Sequence, residues 1–206
     1  MIEVLDSAVR PCERLVIAFT GISHALGAIP FDFHRSMGTL ECAALFVRDL
    51  ERRWYQYDEA SIARLVQQIR SAIELSGARR ITFLGNSMGG YGALYFGSLL
   101  NADAIIAFVP QTAIDPRVTQ ALGDDRWSNE QSAIPAYPFG DLARVAPAKG
   151  RVAIYHGADH RLDTAHAVHL ASSWPLERIA VPDCGHDVAG KLKARGELLS
   201  LIAATI

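Results

Sequence analysis

Six short apolar runs constrain this chain more than any other feature. Leu15 to Phe19, Ala43 to Val47, Ile81 to Leu84, Ala104 to Val109, Val152 to Tyr155 and Ile179 to Val181 are built largely from Val, Ile, Ala, Leu and Phe, with little polar alternation. A strand wetted on one face alternates, whereas a strand covered on both faces does not, so these runs suit a parallel sheet packed between helices. Ile2 to Leu5 adds an edge strand. Between the second and third runs, Ile62, Leu65, Val66, Ile69 and Ile73 fall on one helical face, which predicts a helix over Ser61 to Ser76 ended by Gly77. Further helices are expected just after Ser87, over Thr164 to Ser172 and over Lys191 to Ala203. The repeated order of strand, helix and strand predicts an α/β fold: a doubly wound, mostly parallel sheet of six to seven strands flanked by helices, with right-handed crossovers. Sites in such sheets form at the carboxyl ends of the strands.

The length of 206 residues, half of them apolar and a fifth charged, fits one domain over 1–206. The stretch from Gln111 to Gly150 breaks the rhythm with Pro116, Pro135, Pro138 and Pro147 and reads as a lid-like excursion over 111–150. Twenty basic and twenty-two acidic residues give a net charge of -2 with no block of one sign, which argues against nucleic acid as a partner. No apolar run reaches the roughly 18 residues of a membrane span. The opening residues lack a secretory signal pattern, so a cytoplasmic location is expected. Cys12, Cys42 and Cys184 are far apart and odd in number, which suggests reduced thiols rather than a disulfide framework or a zinc ribbon.

The chemistry is concentrated in Ile81-Thr82-Phe83-Leu84-Gly85-Asn86-Ser87-Met88-Gly89-Gly90-Tyr91-Gly92-Ala93-Leu94, where a buried strand runs into G-x-S-x-G and then into a helix. A serine at the tip of so sharp a turn has a strained backbone, and side chains two positions to either side would collide, which accounts for Gly85 and Gly89. This segment resembles the nucleophile elbow of the α/β-hydrolase superfamily. The resemblance extends from about Leu15 to about Leu198 and implies a small serine esterase-like enzyme with Ser87 as nucleophile. The same resemblance implies no cofactor and a small-molecule acyl substrate.

In that superfamily the chain order is nucleophile, acid, histidine. His186, in the Gly185-His186 turn after the last strand, is the expected general base. Asp159 is the preferred acid, because it follows an apolar strand and Gly157, though with one residue fewer in the turn than the superfamily pattern. Asp163 is the runner-up, also placed to cap a helix starting near Thr164, and Asp115 is a third candidate. The resemblance assigns the oxyanion N–H donors to Met88 and, more loosely, to Ile22 after Thr20-Gly21. Trp127 and Tyr137 in the excursion, with Phe139, are candidates for an apolar substrate pocket.

Other readings stand beside this one. His156, Asp159, His160, Asp163, His166 and His169 invite a metal site, but they lack the H-x-x-x-H spacing of a helical zinc pair, and none is expected. Cys184 reads as a small buried thiol. Arg48-Asp49 and Trp54-Tyr55 suit either a pocket mouth or a surface ion pair with an aromatic patch. Acyl transfer or thioester cleavage would use the same triad, and a binding domain that kept the fold without turnover is the alternative of another class. Oligomeric state is left open.

Overall fold

The computed structural model describes residues 1–6, 8–22 and 31–206. Its elements run β1 (Ile2–Leu5), β2 (Arg14–Phe19), α1 (His34–Met37), β3 (Ala43–Asp49), α2 (Glu59–Ser76), β4 (Arg80–Asn86), α3 (Met88–Leu99), β5 (Ala104–Phe108), α4 (Pro116–Leu122), α5 (Ser128–Ser132), β6 (Arg151–Gly157), α6 (Arg161–Ala171), β7 (Glu177–Val181), α7 (Val188–Ala194) and α8 (Leu198–Thr205). Seven strands form one sheet in the order β1-β3-β2-β4-β5-β6-β7. All neighbours are parallel except the β1–β3 edge pair. This is the α/β-hydrolase architecture that the apolar runs and the elbow motif predict.

Both faces of the sheet are covered, which is why the central runs do not alternate. Leu15, Ile17 and Phe19 of β2 join one core with Leu65 and Ile69 of α2, Tyr91 and Leu94 of α3, and Leu170 of α6. Val16 and Ala18, one residue out of phase, face a second core with Met37 of α1, Leu192 of α7 and Ile202 of α8. A strand's side chains point to alternate faces, so adjacent residues of β2 feed opposite cores and both must be apolar.

Helix α2 begins two residues before the predicted start because the Asp58 side chain caps it, accepting from Ser61 N at 2.8 Å; Gly77 at φ 61° ends it. The single helix expected over Lys191 to Ala203 is in fact two, α7 and α8, broken where Gly196 adopts φ 74°. Helix α6 starts at Arg161 instead of near Thr164, capped by the ring of His160, whose Nδ1 lies 3.2 Å from Asp163 N. The predicted strand through Val109 stops at Phe108, since Val109 itself lies at φ 43°. The excursion is partly ordered as α4, α5 and a single 3₁₀ turn at Leu142–Arg144, tied down by an Ala113–Asp141 bridge. Among the described residues no helix is long and apolar enough to cross a membrane.

The glycines of the elbow are required by close approach. A Cβ on Gly85 would collide with the Gly89 carbonyl, and one on Gly89 would collide with the Phe19 carbonyl of β2. Backbone atoms cannot step aside as a side-chain tip can. Gly85→Ala is therefore expected to lose about 3 kcal/mol or more of stability, at the severe end for overpacking. Gly185→Ala, where an added Cβ meets nothing within 4 Å, should change stability by no more than about 0.5 kcal/mol. Urea denaturation of the two variants compares them directly, and equal losses would refute this account of the elbow.

Candidate active site

Ser87 stands between β4 and α3 at φ 53° and ψ -119°, a conformation that L-residues rarely adopt. Its N–H is held by the Phe108 carbonyl at 2.8 Å, and the residue is 5% exposed. Met88 opens α3, so its N–H has no acceptor within the helix and lies beside the serine. The Ser87 hydroxyl is within reach of the Gln111 side chain, 3.3 Å from Nε2 and 3.4 Å from Oε1, and is not hydrogen-bonded to His186.

His186 lies in the loop after β7, which passes tightly over the end of β6. A Cβ on Gly157 would strike the carbonyls of Cys184 and Gly185, so glycine there lets the histidine loop settle on the neighbouring strand. His186 Nδ1 is 2.8 Å from Asp163 Oδ2. The partner is thus Asp163 and not the preferred Asp159, which is exposed and uses its main-chain N–H on Cys184 O at 3.2 Å. The reason is the early start of α6. Asp163 is not the helix cap; it occupies the first turn, is 1% exposed and points its carboxylate toward the histidine. Asp115 caps α4 and pairs with Arg117, away from this contact.

The Asp163 carboxylate is also held by Arg126 from the excursion, with Nη1 at 2.9 Å from Oδ1. Arg126 in turn grips Asp124 with Nε and Nη2. Asp124 also meets Nε2 of the fully buried His166 at 2.9 Å, while His166 Nδ1 accepts from Thr112 N at 3.1 Å. That backbone donor places the His166 proton on Nε2, so the ring donates to Asp124. Burial pushes the Asp124 carboxyl up, but the hydrogen bonds from His166 and Arg126 outweigh it and hold the group well below the usual carboxylate range. Burial likewise raises Asp163, and His186 and Arg126 reverse the shift. Arg126 Nη1 lies 3.4 Å from His186 Nδ1. With a proton on Nδ1, neither nitrogen accepts from the other, and both point their hydrogens at Asp163.

Residues 43–174, well over half of the chain, match the model of the Uncharacterised protein family (UPF0227). The chain belongs to this family. No curated protein sequence matches it. Among solved structures, the UPF0227 chain is similar to the Glycosylation Associate Protein (Gap123) complex from Streptococcus agalactiae, at 18% identity and a TM-score of 0.71, over 98% of this chain and 43% of that one. It therefore spans less than half the length of that relative. It is also similar to a capsule O-acetyltransferase of Neisseria meningitidis serogroup A in complex with CoA, at 17% identity and a TM-score of 0.66, over 92% and 89% of the two chains. FphF, a fluorophosphonate-binding serine hydrolase of Staphylococcus aureus, aligns at 14% identity and a TM-score of 0.61, over 96% and 86%. At these identities the likeness is one of fold.

Other residues singled out from the UPF0227 sequence fall as follows. Ile22 is buried in the core, and the preceding N–H, that of Gly21, is taken by Asp32 Oδ2 at 2.8 Å. Trp127 packs on Trp54 with ring centroids 6.3 Å apart. Tyr137 bonds to the Gln131 carbonyl within the excursion, and Phe139 stacks on Tyr95 at 4.1 Å. The clustered histidines disperse: His156 meets Thr164, His166 meets Asp124 and His169 meets Asp141. Among the described residues, His160, Asp163 and His186 bring ligand atoms within 4.8 Å of one another, as a metal would need. The Arg126 cation already compensates that carboxylate, and a divalent ion would have to displace it. Cys184 is buried, and burial pushes its thiol up.

Asp124, Arg126 and Gln111 were not legible in the sequence, because Arg126 reaches Asp163, and Gln111 reaches Ser87, only through the folded path of the excursion, and Asp124 joins them through Arg126. Removing Arg126 leaves two buried carboxylates short of a cation, so Arg126→Ala should cost about 3–5 kcal/mol at neutral pH. The acid side follows from the depressed carboxyls. Their stabilisation is complete above the unfolded value of about 3.9 and is lost as pH falls through the lower folded values. Wild type and variant should therefore converge in stability below about pH 4, and urea titrations that stayed parallel down to pH 2 would contradict this.

Proposed function

We propose that this protein is a serine hydrolase that cleaves carboxylic esters through an acyl-enzyme on Ser87, with His186 as general base and Asp163 as the orienting acid. The observation that carries this reading is the contact of His186 Nδ1 with the buried Asp163 carboxylate, on the same end of the sheet as the strained Ser87 turn. A serine hydroxyl is a weak nucleophile at neutral pH and needs a base. Asp163 supplies what such a base requires, because it fixes the proton on Nδ1 and leaves Nε2 free to accept.

In the acylation step the Ser87 Oγ–H proton passes to His186 Nε2 as the bond from Oγ to the acyl carbon forms. The carbonyl π pair moves to oxygen, where the Met88 N–H, with that of Ile22 as the second donor, meets the developing charge. His186 then returns the proton to the departing alcohol oxygen. Water repeats the sequence and frees Ser87. His186 and Ser87 need to come within hydrogen-bonding reach in the substrate complex, and catalytic contacts of this kind commonly tighten only then. Arg126 stabilises the Asp163 carboxylate and holds it in place.

The likeness to a capsule O-acetyltransferase in complex with CoA supports a second reading, in which an acceptor hydroxyl replaces water in the deacylation step. Including an alcohol acceptor with an acyl donor and analysing the products separates the two. A metal plays no part in either reading, so a chelator should leave activity unchanged.

The decisive experiment combines a fluorophosphonate probe with p-nitrophenyl esters of increasing acyl length. Wild type should label at Ser87 and turn over, while Ser87→Ala should do neither. Asp163→Asn should lower turnover by about 10⁴-fold, the scale for the acid of a serine-protease triad. Asp159→Asn should stay within a few-fold of wild type. A large loss at Asp159 with little at Asp163 would reverse the acid assignment, and an unlabelled wild type would sink the serine-hydrolase reading.

A further inference from the structure

The turn after β3 and the first residues after β5 hold an unusual concentration of backbone strain. Arg52, Trp54 and Tyr55 lie at φ 54°, 49° and 61°, and the β-branched Val109 at φ 43°. Non-glycine residues seldom occupy this region, and a β-branched one is a true outlier. Asp49 holds the first of these segments. It is fully buried and accepts from Glu51 N at 3.1 Å, Arg53 N at 2.7 Å and Tyr55 N at 3.0 Å, with the Tyr57 hydroxyl as a further donor. Neither Trp54 nor Tyr55 is a surface aromatic; both are 0% exposed. Strain of this kind persists only where surrounding contacts enforce it, and such sites often serve function.

Both strained segments lead to one side chain. Val109 carries the chain through Pro110 to Gln111, which is 1% exposed, and the turn held by Asp49 delivers Trp54 Nε1 to 3.1 Å from Gln111 Oε1. An indole N–H can only donate, so it fixes which end of the amide is oxygen and turns Nε2 toward Ser87 Oγ at 3.3 Å. A serine hydroxyl has one proton and two lone pairs. When Oγ accepts from Gln111, its own proton stays available for the base. The alternative, Oγ donating to Oε1 at 3.4 Å, would withhold that proton and would compete with the hydrogen bond that Oε1 already accepts from Trp54.

We propose that Gln111 is a further catalytic residue of the Ser87 centre, its amide N–H donating to Ser87 Oγ throughout the attack, with Trp54 and the turn held by Asp49 as positioning residues. This rests on the serine-hydrolase reading above. Gln111 neither gains nor loses a proton: the Oγ–H proton goes to His186, the Oγ–carbon bond forms, and the amide dipole meets the charge that Oγ carries between the two events. A fixed, buried dipole is effective there because it needs no reorganisation as the charge appears.

The test is the rate of fluorophosphonate labelling at Ser87, located by mass spectrometry, for wild type, Gln111→Leu, Trp54→Phe and the double variant, with thermal melts to verify folding. Gln111→Leu should slow labelling about tenfold to a hundredfold, somewhat less than loss of a full oxyanion-hole donor. The loss should fall on the chemical step and not on probe binding. The pH–rate profile should keep its shape with a lower plateau, because an amide does not titrate. Trp54→Phe should slow labelling several-fold alone and add nothing in the Gln111→Leu background, since Trp54 acts only through Gln111. Labelling of Gln111→Leu within twofold of wild type, or losses that multiply in the double variant, would overturn the inference while leaving Ser87 as the nucleophile. Should Gln111→Leu fail to fold, Trp54→Phe at the wild-type rate overturns it equally. A wild type that does not label at Ser87 removes the parent reading and this inference together.

Discussion

The helix that follows Ser87 lies against the sheet with almost nothing between the two backbones. Gly85 faces the carbonyl of Gly89, and Gly89 faces the carbonyl of Phe19, so α3 is drawn onto β2 and β4 as closely as peptide groups allow. That approach fixes three things together. It holds Ser87 at a positive φ, starts α3 at the very next residue, and brings the end of β2 against the first turn of that helix. The apolar layers on either face, Phe19 with Phe83 and Phe96 on one and Phe46 with Phe31 on the other, keep the sheet and helix in that register. Packing in the core thereby becomes geometry at the surface.

The excursion over 111–150 is joined to this frame by charge. Asp124 and Arg126 reach into the space above the carboxyl ends of β5 and β6 and join His166 and Asp163 of α6. Buried ions are costly unless each is matched, and here each carboxylate is hydrogen-bonded twice over: the two share one guanidinium, and each accepts from an imidazole. His169 adds a second tie from α6 to Asp141, and the Tyr91 hydroxyl of α3 a third to the Phe139 carbonyl. These contacts tie the excursion to the frame at three separate points.

How far the sequence revealed this depended on the range of the interaction. The strands and the elbow were legible because their signals are local: a both-faced apolar run, a glycine two residues on either side of a serine. The seven-strand sheet and the positions of Ser87 and His186 follow from them. The choice between Asp159 and Asp163 was not local. It turned on where α6 begins, and the cap is a histidine, a residue with little propensity for that position compared with Ser, Thr, Asp or Asn. Arg126 and Gln111 lay in a segment with no periodicity, where the sequence offers no face or spacing to read. The strained turn at Arg52 to Tyr55 gave no glycine to mark it; its signal was the buried Asp49 that satisfies three backbone N–H groups, which becomes visible only once the turn is folded.

The His160 cap helps to explain why Asp163 is held so firmly. His160 Nδ1 stands 3.2 Å from the backbone N–H of Asp163 and 3.0 Å from its Oδ2. One neutral ring nitrogen cannot both accept from the first and donate to the second. Burial pushes His160 toward its neutral form, against the pull of the Asp163 charge, with Arg126 and His186 nearby adding to the depression. Oδ2 already receives the His186 proton and Oδ1 a hydrogen from Arg126, whereas the Asp163 N–H, in the first turn of α6, has no acceptor within the helix. The assignment that satisfies every group has His160 accept from the backbone. One residue is then fixed twice: its main chain by the cap of its own helix, and its side chain by an imidazole from the loop after β7 and a guanidinium from the excursion. Moving the carboxylate off His186 would also give up its hydrogen bond from Arg126.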